Sequence, residues 1–383
     1  MSKLIQLALL SLLLLNCQQK PHENKNTKAR TGVDVVTIHI PKKTEREKRL
    51  ELPSNFFYDV TYIPLETDSV CLVGPEPKWH FYKDNIIVMD ELTLNTPLRF
   101  NMDGKYINSI GSIGNGPGEY SFLVASSINN GYLHGIKNAY NNFIKYNIKG
   151  EYISTSEIPS FIKTFRPTYM ANTGEAYYFS RTTSLPRKSS GTQYELLKYY
   201  NNKSDQYFVI PKELYGKHFG HVFSFSGEKV FYNPAANDSI YELKDTEVIA
   251  RYCHRFSDDK YKMDEVGIQI LKALFFYETE LHCYFQYFFN NKASLYYYDR
   301  SNERLLCGSE FDYTYDNSEM ILPGIVVGCS NEHFISYLYP FQILEQYEKL
   351  LASNKKIHPK ISNLVSNLKE DDNPVIVKYR VRF

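Results

Sequence analysis

The stretch R-F-N-M-D-G-K-Y-I, Arg99 to Ile107, returns as K-Y-N-I-K-G-E-Y-I, Lys145 to Ile153, 46 residues later. Both copies read basic, aromatic, Asn, apolar, charged, Gly, charged, Tyr, Ile. Each is two short strands joined by a tight turn, with Gly104 and Gly150 supplying the positive-φ position that only glycine reaches cheaply. Looser copies follow at Leu196–Ile210, Asp238–Tyr252 and Ser294–Leu306, so turns fall near residues 104, 150, 203, 245 and 302. Most copies are preceded by a further strand pair, at Ile86, Tyr132, Ala176 and Lys229. Four strands in every 40–50 residues or so is the signature of a β-propeller blade. The abundance of Tyr (33) and Phe (24) fits half-buried pleated surfaces.

Helix is scarce. Met263–Tyr277 has mixed apolar and charged spacing and is expected to form a short helix before or within the fifth repeat. Pro340–Ser353 places Ile343, Leu344, Tyr347, Leu350 and Leu351 at helical period behind a proline start, and Pro359–Lys369 is expected to follow as a second helix. The chain ends in the alternating strand N-P-V-I-V-K-Y-R-V-R-F. Val33–Ile40 is a matching strand at the other end, and the two are expected to share one blade and close the ring, which removes the open sheet edge.

The glycine-rich stretch G-S-I-G-N-G-P-G-E-Y, Gly111–Tyr120, raises the question of a phosphate cradle. A dinucleotide fingerprint needs G-x-G-x-x-G between a strand and a helix, and a P-loop needs G-K-[ST]. Gly114, Gly116 and Gly118 give G-x-G-x-G with no helical pattern after them. The stretch reads instead as the crossing from one blade's outer strand to the next blade's inner strand, stiffened by Pro117. Glu119 is expected to accept backbone N–H bonds in that turn rather than to act in catalysis.

The run I-I-V-M-D, L-R-F-N-M-D-G-K-Y-I-N-S-I-G, G-N-G-P-G-E-Y resembles the NHL-type propeller repeat. With Y-I-P-L-E-T (Tyr62–Thr67) and E-D-D-N-P-V-I-V (Glu370–Val377), the mature chain is similar to the six-bladed β-propeller lipoproteins of Bacteroidota. The resemblance implies an all-β, six-bladed β-propeller, here with a short helical insertion near the C-terminus. It implies no chemistry.

The amino terminus fits. Lys3 precedes the apolar run Leu4–Leu15, which is too short to span a bilayer but right for a signal peptide. Leu14-Leu15-Asn16-Cys17 resembles a bacterial lipobox, with Asn16 where a smaller residue is usual. Residues 1–17 are therefore expected to be a lipoprotein signal ending at Cys17, residues 18–32 a disordered tether, and residues 33–383 one propeller domain. The expected location is the cell envelope, facing the periplasm or displayed on the outer-membrane surface. Gln18-Gln19-Lys20 lacks the acidic cluster of a surface-export signal, which favours the periplasmic side. Besides Cys17 there are five cysteines and no C-x-x-C pair. One disulfide is open to them, and its pairing is not legible.

With 44 basic and 43 acidic residues, nothing points to a nucleic-acid partner. The ten histidines show no metal-ligand spacing, and G-x-S-x-G is absent, so no metal, cofactor or serine nucleophile is implied. Inner strands expected near Lys78–Phe81, Ser126–Asn129, Arg166–Met170, His221–Phe225, Leu274–Glu278 and Gly324–Gly328 bring Trp79, His80, Arg166, Tyr169 and His221 to the channel or its mouth. An arginine among aromatics suits a carboxylate, and a tryptophan suits a sugar or an apolar side chain; the same residues equally suit plugging of the channel. Two functions follow. One is a tethered binding module for a glycan, a peptide or an envelope protein. The other is a secreted lyase- or lactonase-like hydrolase, with or without a metal, which requires at least two of His80, Arg166, Tyr169 and His221 to converge.

Overall fold

A computed structural model describes residues 30–383 apart from 47, 76, 90–95, 138–139, 182–191, 211–222, 235–237, 258–260, 265–266, 271 and 290–291. The expected signal, Cys17 and most of the expected tether lie outside the described residues, as does His221. Strand structure already begins at Arg30.

The chain is all-β with few helices, arranged as a β-propeller. Four antiparallel sheets have four strands each. The first is Lys78–Tyr82, Asn85–Met89, Leu98–Asn101 and Tyr106–Ser109; the second is Leu123–Asn129, Tyr132–Lys137, Asn142–Asn147 and Tyr152–Glu157. The third is Tyr169–Asn172, Tyr177–Ser180, Tyr194–Tyr200 and Lys203–Val209. A later one is Lys272–Glu278, His282–Phe289, Lys292–Asp299 and Arg304–Gly308. A nine-stranded sheet holds two further antiparallel runs. One runs through Phe223–Ser226, Lys229–Tyr232, Ser239–Leu243 and Val248–Phe256; the other, the closing run, is Val326–Cys329, Phe334–Leu338, Val375–Val381 and Phe57–Pro64. They join through one parallel pair, Ser226 with Cys329.

The first strands of successive arrays are neighbours around a ring. Lys78–Tyr82 lies by Leu123–Asn129, then come Tyr169–Asn172, Phe223–Ser226, Lys272–Glu278 and Val326–Cys329, which returns to Lys78–Tyr82. Burial is complete one strand out from this centre, at Asn85–Met89, and is lost at the rim, where Tyr152–Glu157 is exposed along its whole length. Apolar clusters fill the spaces between facing sheets. Trp79, Ile86, Val88 and Phe100 pack on Ile335 and Ile376; Ile87 and Met89 pack on Leu133 and Tyr146. Ile136 packs on Met170 and Phe179; Tyr178 and Leu196 on Val230 and Leu243; Phe231 and Tyr252 on Phe276 and Phe285; Tyr284 and Tyr297 on Phe334 and Tyr379.

The repeat owes its turn to two residues. Gly104 and Gly150 have φ of +80° and +91°. Asn101 Oδ1 accepts the Asp103 and Lys105 N–H groups, and Asn147 Oδ1 accepts those of Lys149 and Glu151. The asparagine thus stands in for a backbone acceptor inside the turn.

Two expectations need correction, and the disulfide left open by the sequence is not formed among the described cysteines. Met263–Tyr277 is not a helix: Tyr261–Asp264 and Gly267–Ile270 form a hairpin, and Lys272–Glu278 is the first strand of its sheet. Phe276 and Tyr277 face the apolar clusters on opposite sides of that sheet, and this burial overrides local spacing. Val33–Ile40 is a strand, but Arg30–Ile40 runs parallel to Val248–Phe256, while Phe57–Pro64 pairs with the C-terminal strand. Cys71, Cys253, Cys283, Cys307 and Cys329 are all free thiols.

The two expected helices form, as Pro340–Ala352 and Pro359–Val365, between two strands of the closing run. Gln342 Oε1 accepts the Tyr339 N–H at 2.9 Å, and Ile343 and Ile361 bury against the closing run. Among the described residues no helix is long and apolar enough to cross a membrane.

Candidate functional site

The strand K-W-H-F-Y, Lys78–Tyr82, decides what the channel holds. Trp79 and Phe81 turn toward the closing run. Their rings stack at 6.5 Å, and Trp79 also lies 5.1 Å from Tyr337. Phe81 seats on Gly328, where a Cβ would come within 2.3 Å of its ring. Trp79 is 7% exposed, so its face is part of the core and offers no platform to a ligand. His80 is buried, with its ring 5.1 Å from that of Phe225 across the ring of strands. Burial, helped by the Lys78 charge, holds the His80 pKa down to about 4.

Tyr169 lies under the Lys78 ammonium, which is 4.7 Å from the ring centroid. Arg166 is the left-handed C-cap of the short helix Ser160–Phe165, with φ of +54°. Its N–H donates to Ile162 O and its side chain is exposed. The geometry therefore gathers His80 and Tyr169 about Lys78, packs Trp79 on the other side of the strand and leaves Arg166 at the surface. Among the described residues no three His, Cys, Asp or Glu side chains are placed to hold a metal ion.

In the glycine-rich crossing, Glu119 Oε2 accepts the Gly116 N–H at 2.7 Å. Lys137 Nζ donates to Glu119 O, Tyr120 OH to Ile110 O and Tyr146 OH to Gly118 O.

A cleft of about 250 Å³ opens between the second and third sheets. Cross-strand register builds one wall. Lys145 pairs with His134 on one side and Ser154 on the other, and Phe143 pairs with Ser156 in the next row. The facing wall is the cross-strand pair Tyr177 and Tyr199. Phe143 and Tyr177 stack at 5.5 Å with planes 22° apart, and His134 Nδ1 shares a hydrogen bond of 2.9 Å with Tyr177 OH. Burial, with the Lys145 charge, holds the His134 pKa down to about 4, so the imidazole is neutral at pH 7. Lys145 Nζ sits 4.1 Å from the Tyr132 ring centroid. Glu157 reaches the cleft from the exposed strand and lies 3.7 Å from Lys163.

A second polar cluster centres on Glu278, whose side chain is 1% exposed. Lys229 and Tyr252 donate to its two oxygens, Arg300 lies at 3.8 Å, and Ser226 Oγ accepts its N–H. These contacts bind the 223–256 run to the 272–308 sheet. Neither the cleft nor this cluster carried a sequence motif. The one available signal was the repeat itself, which sets Lys145 where the first copy has Arg99.

No curated protein matches the chain in sequence. Among solved structures it is similar to a candidate exported protein of Bacteroides fragilis NCTC 9343, at 15% identity and a TM-score of 0.64, covering 91% of this chain and 100% of that one. It is also similar to a member of the duf4221 family from Bacteroides vulgatus ATCC 8482, at 9% identity and a TM-score of 0.48, covering 85% and 97%. A third similar structure is the β-propeller domain of Myceliophteria thermophila Cps50 (Swd1), at 9% identity and a TM-score of 0.35, covering 69% and 93%. At these identities the first likeness bears on the fold alone. In sequence, residues 35–380 match the family described as Domain of unknown function (DUF4934), and the chain belongs to that family.

Proposed function

We propose that the chain is a six-bladed propeller, held at the cell envelope by lipid on Cys17, that binds a glycan, a peptide or an envelope protein rather than turning over a substrate. The six-blade count treats the two runs of the nine-stranded sheet as separate blades. Their joining by a single ladder pair, Ser226 with Cys329, and the apolar cluster between each pair of successive arrays, support it. The observation that carries the binding function is the contrast between two places. The channel residues pack on one another, His80 on Phe225 and Lys78 on Tyr169. The cleft between the second and third sheets instead leaves rings, hydroxyls and charges facing open space.

The test is a thermal-shift screen of the full-length chain in detergent against glycans, peptides and divalent metals. A ligand at 100 times its Kd adds about 2.7 kcal/mol, visible as a raised Tm. A glycan or peptide shift without turnover supports the proposal. Turnover of any such ligand, or a shift with metals only, overturns it. For the anchor, Cys17→Ala is expected to release the chain from the membrane fraction; retention there refutes lipidation.

A further inference from the structure

We infer that the cleft between the second and third sheets binds a sugar unit bearing one carboxylate, a uronic acid residue. This rests on the binding-module proposal and names its ligand.

The internal repeat supplies the key comparison. Arg99 and Lys145 hold the same place in the two copies. Arg99 is engaged by the protein: Nε donates to Asn85 Oδ1 at 2.7 Å, and the guanidinium also reaches Asn108 Oδ1 and Ile148 O. Lys145 keeps the charge, but its ammonium lies over the face of Tyr132 and makes no hydrogen bond or ion pair among the described residues. The side-chain hydroxyls of its cross-strand neighbour Ser154, and of Ser156 beyond, make no hydrogen bond among the described residues. A half-buried cation beside two unengaged hydroxyls is a set of donors waiting for an acceptor.

The rest of the wall selects what carries that acceptor. Phe143 and Tyr177, stacked on each other, and Tyr199 beside them give this wall an aromatic border, which suits the C–H groups of a pyranose. At about 250 Å³, with ~30 Å³ per water, the cleft has room for about eight waters, the scale of one sugar ring. Glu157 also lines it. A carboxylate there accepts hydrogen bonds from sugar hydroxyls and repels a doubly charged phosphate. Glu157 is paired with Lys163, which leaves the Lys145 ammonium as the charge without an ionic partner, so the fit is to a single negative charge on a polyhydroxylated ring.

The experiment is calorimetric titration of the full-length chain with glucuronate, a glucuronate-terminated oligosaccharide and glucose, for the native chain and three variants. Either glucuronate probe is expected to bind at least tenfold more tightly than glucose. Lys145→Gln is expected to erase that preference, Lys145→Arg to keep it, and Ser156→Phe, which fills the cleft, to abolish binding of all three. The Lys145 and Ser156 side chains hold no hydrogen bond among the described residues, so an unchanged Tm without ligand certifies the fold of each variant. Equal binding of glucose and glucuronate, or a preference that survives Lys145→Gln, overturns the inference. A panel glycan or peptide that binds unaffected by Ser156→Phe also overturns it while the binding-module proposal stands. Silence of the whole panel sinks both.

Discussion

Asn373 is the sharpest place to test how the ring is closed. It precedes Pro374 and the strand Val375–Val381, and it is 3% exposed. Its Oδ1 accepts the Val73 N–H at 2.8 Å, and its Nδ2 donates to Glu66 O at 2.6 Å and Cys71 O at 2.8 Å. Its own N–H donates to Thr67 Oγ1 at 2.9 Å. One side chain thus ties the loop leaving Phe57–Pro64 to the segment entering the last strand, across the seam where Phe57–Pro64 pairs with Val375–Val381. Asn373→Ala removes three side-chain hydrogen bonds at about 1 kcal/mol each and leaves the buried Cys71 carbonyl without that donor. The expected loss is about 3–4 kcal/mol, a large share of a total near 5–15 kcal/mol. The assay is urea unfolding followed by the fluorescence of Trp79, the single tryptophan, which belongs to the same apolar cluster as Leu65 and Cys71. Asn302→Ala is the control, since that side chain only closes an exposed turn on Asp299 at 2.8 Å; it is expected to cost under about 1 kcal/mol. A loss below about 1 kcal/mol for Asn373→Ala, with the denaturant slope unchanged, would refute the clasp.

Other substitutions test other levels of the structure. Gly104→Ala sets a Cβ 2.1 Å from Pro64 O at φ of +80° and is expected to cost well over about 2 kcal/mol. Gly131→Ala, with the nearest atom at 3.5 Å and φ of +75°, is expected to cost about 1 kcal/mol by the same melts, and equal costs would dismiss the close approach at the seam. Glu278→Gln leaves Lys229 and Arg300 without their carboxylate; because both cations are partly exposed, the expected loss is about 2 kcal/mol, and a neutral outcome would show that the cluster does not bind its two arrays. His80 and His134 are held near pKa 4 when folded, against about 6.5 unfolded. The unfolded chain therefore takes up protons that the folded chain refuses, and stability is full above about pH 6.5 and drains as pH falls toward 4, by about 3 kcal/mol for each histidine. A stability profile flat from pH 7 to 4 would contradict this. Burial pushes the Cys283 and Cys329 thiols up to about 12, so both are expected to resist a thiol reagent at pH 8 until the chain unfolds, as read by peptide mass.

The propeller was legible because its repeat is written in residues that act locally. Asn101 and Gly104, and again Asn147 and Gly150, make their turns without help from distant parts of the chain. What depends on distant partners was not legible. Phe275, Phe276 and Tyr277 carry no mark distinguishing a helix face from a strand buried on both sides. Val33–Ile40 and Phe57–Pro64 both read as strands, and alternation along one strand says nothing about which neighbour it takes. Trp79 was placed beside the channel correctly as to strand, but a period of two leaves open which way each side chain turns, and the rings of Phe81 and Tyr337 draw it into the core. The cleft joins Lys145 and Ser154 of one sheet to Tyr177 and Tyr199 of the next. Only the comparison of Arg99 with Lys145 connects it to the sequence, and that comparison needs both side chains' surroundings.

The strand Arg30–Ile40 has a mechanical consequence. It lies along the outer edge of Val248–Phe256 with Ile38 and Ile40 tucked beneath it, and it belongs to no step of the ring's closure. Tension applied to the amino terminus reaches this appended ribbon before it reaches Phe57–Pro64. A pull that strips this 11-residue ribbon leaves the circle of sheets shut, so this end gives way before the body does.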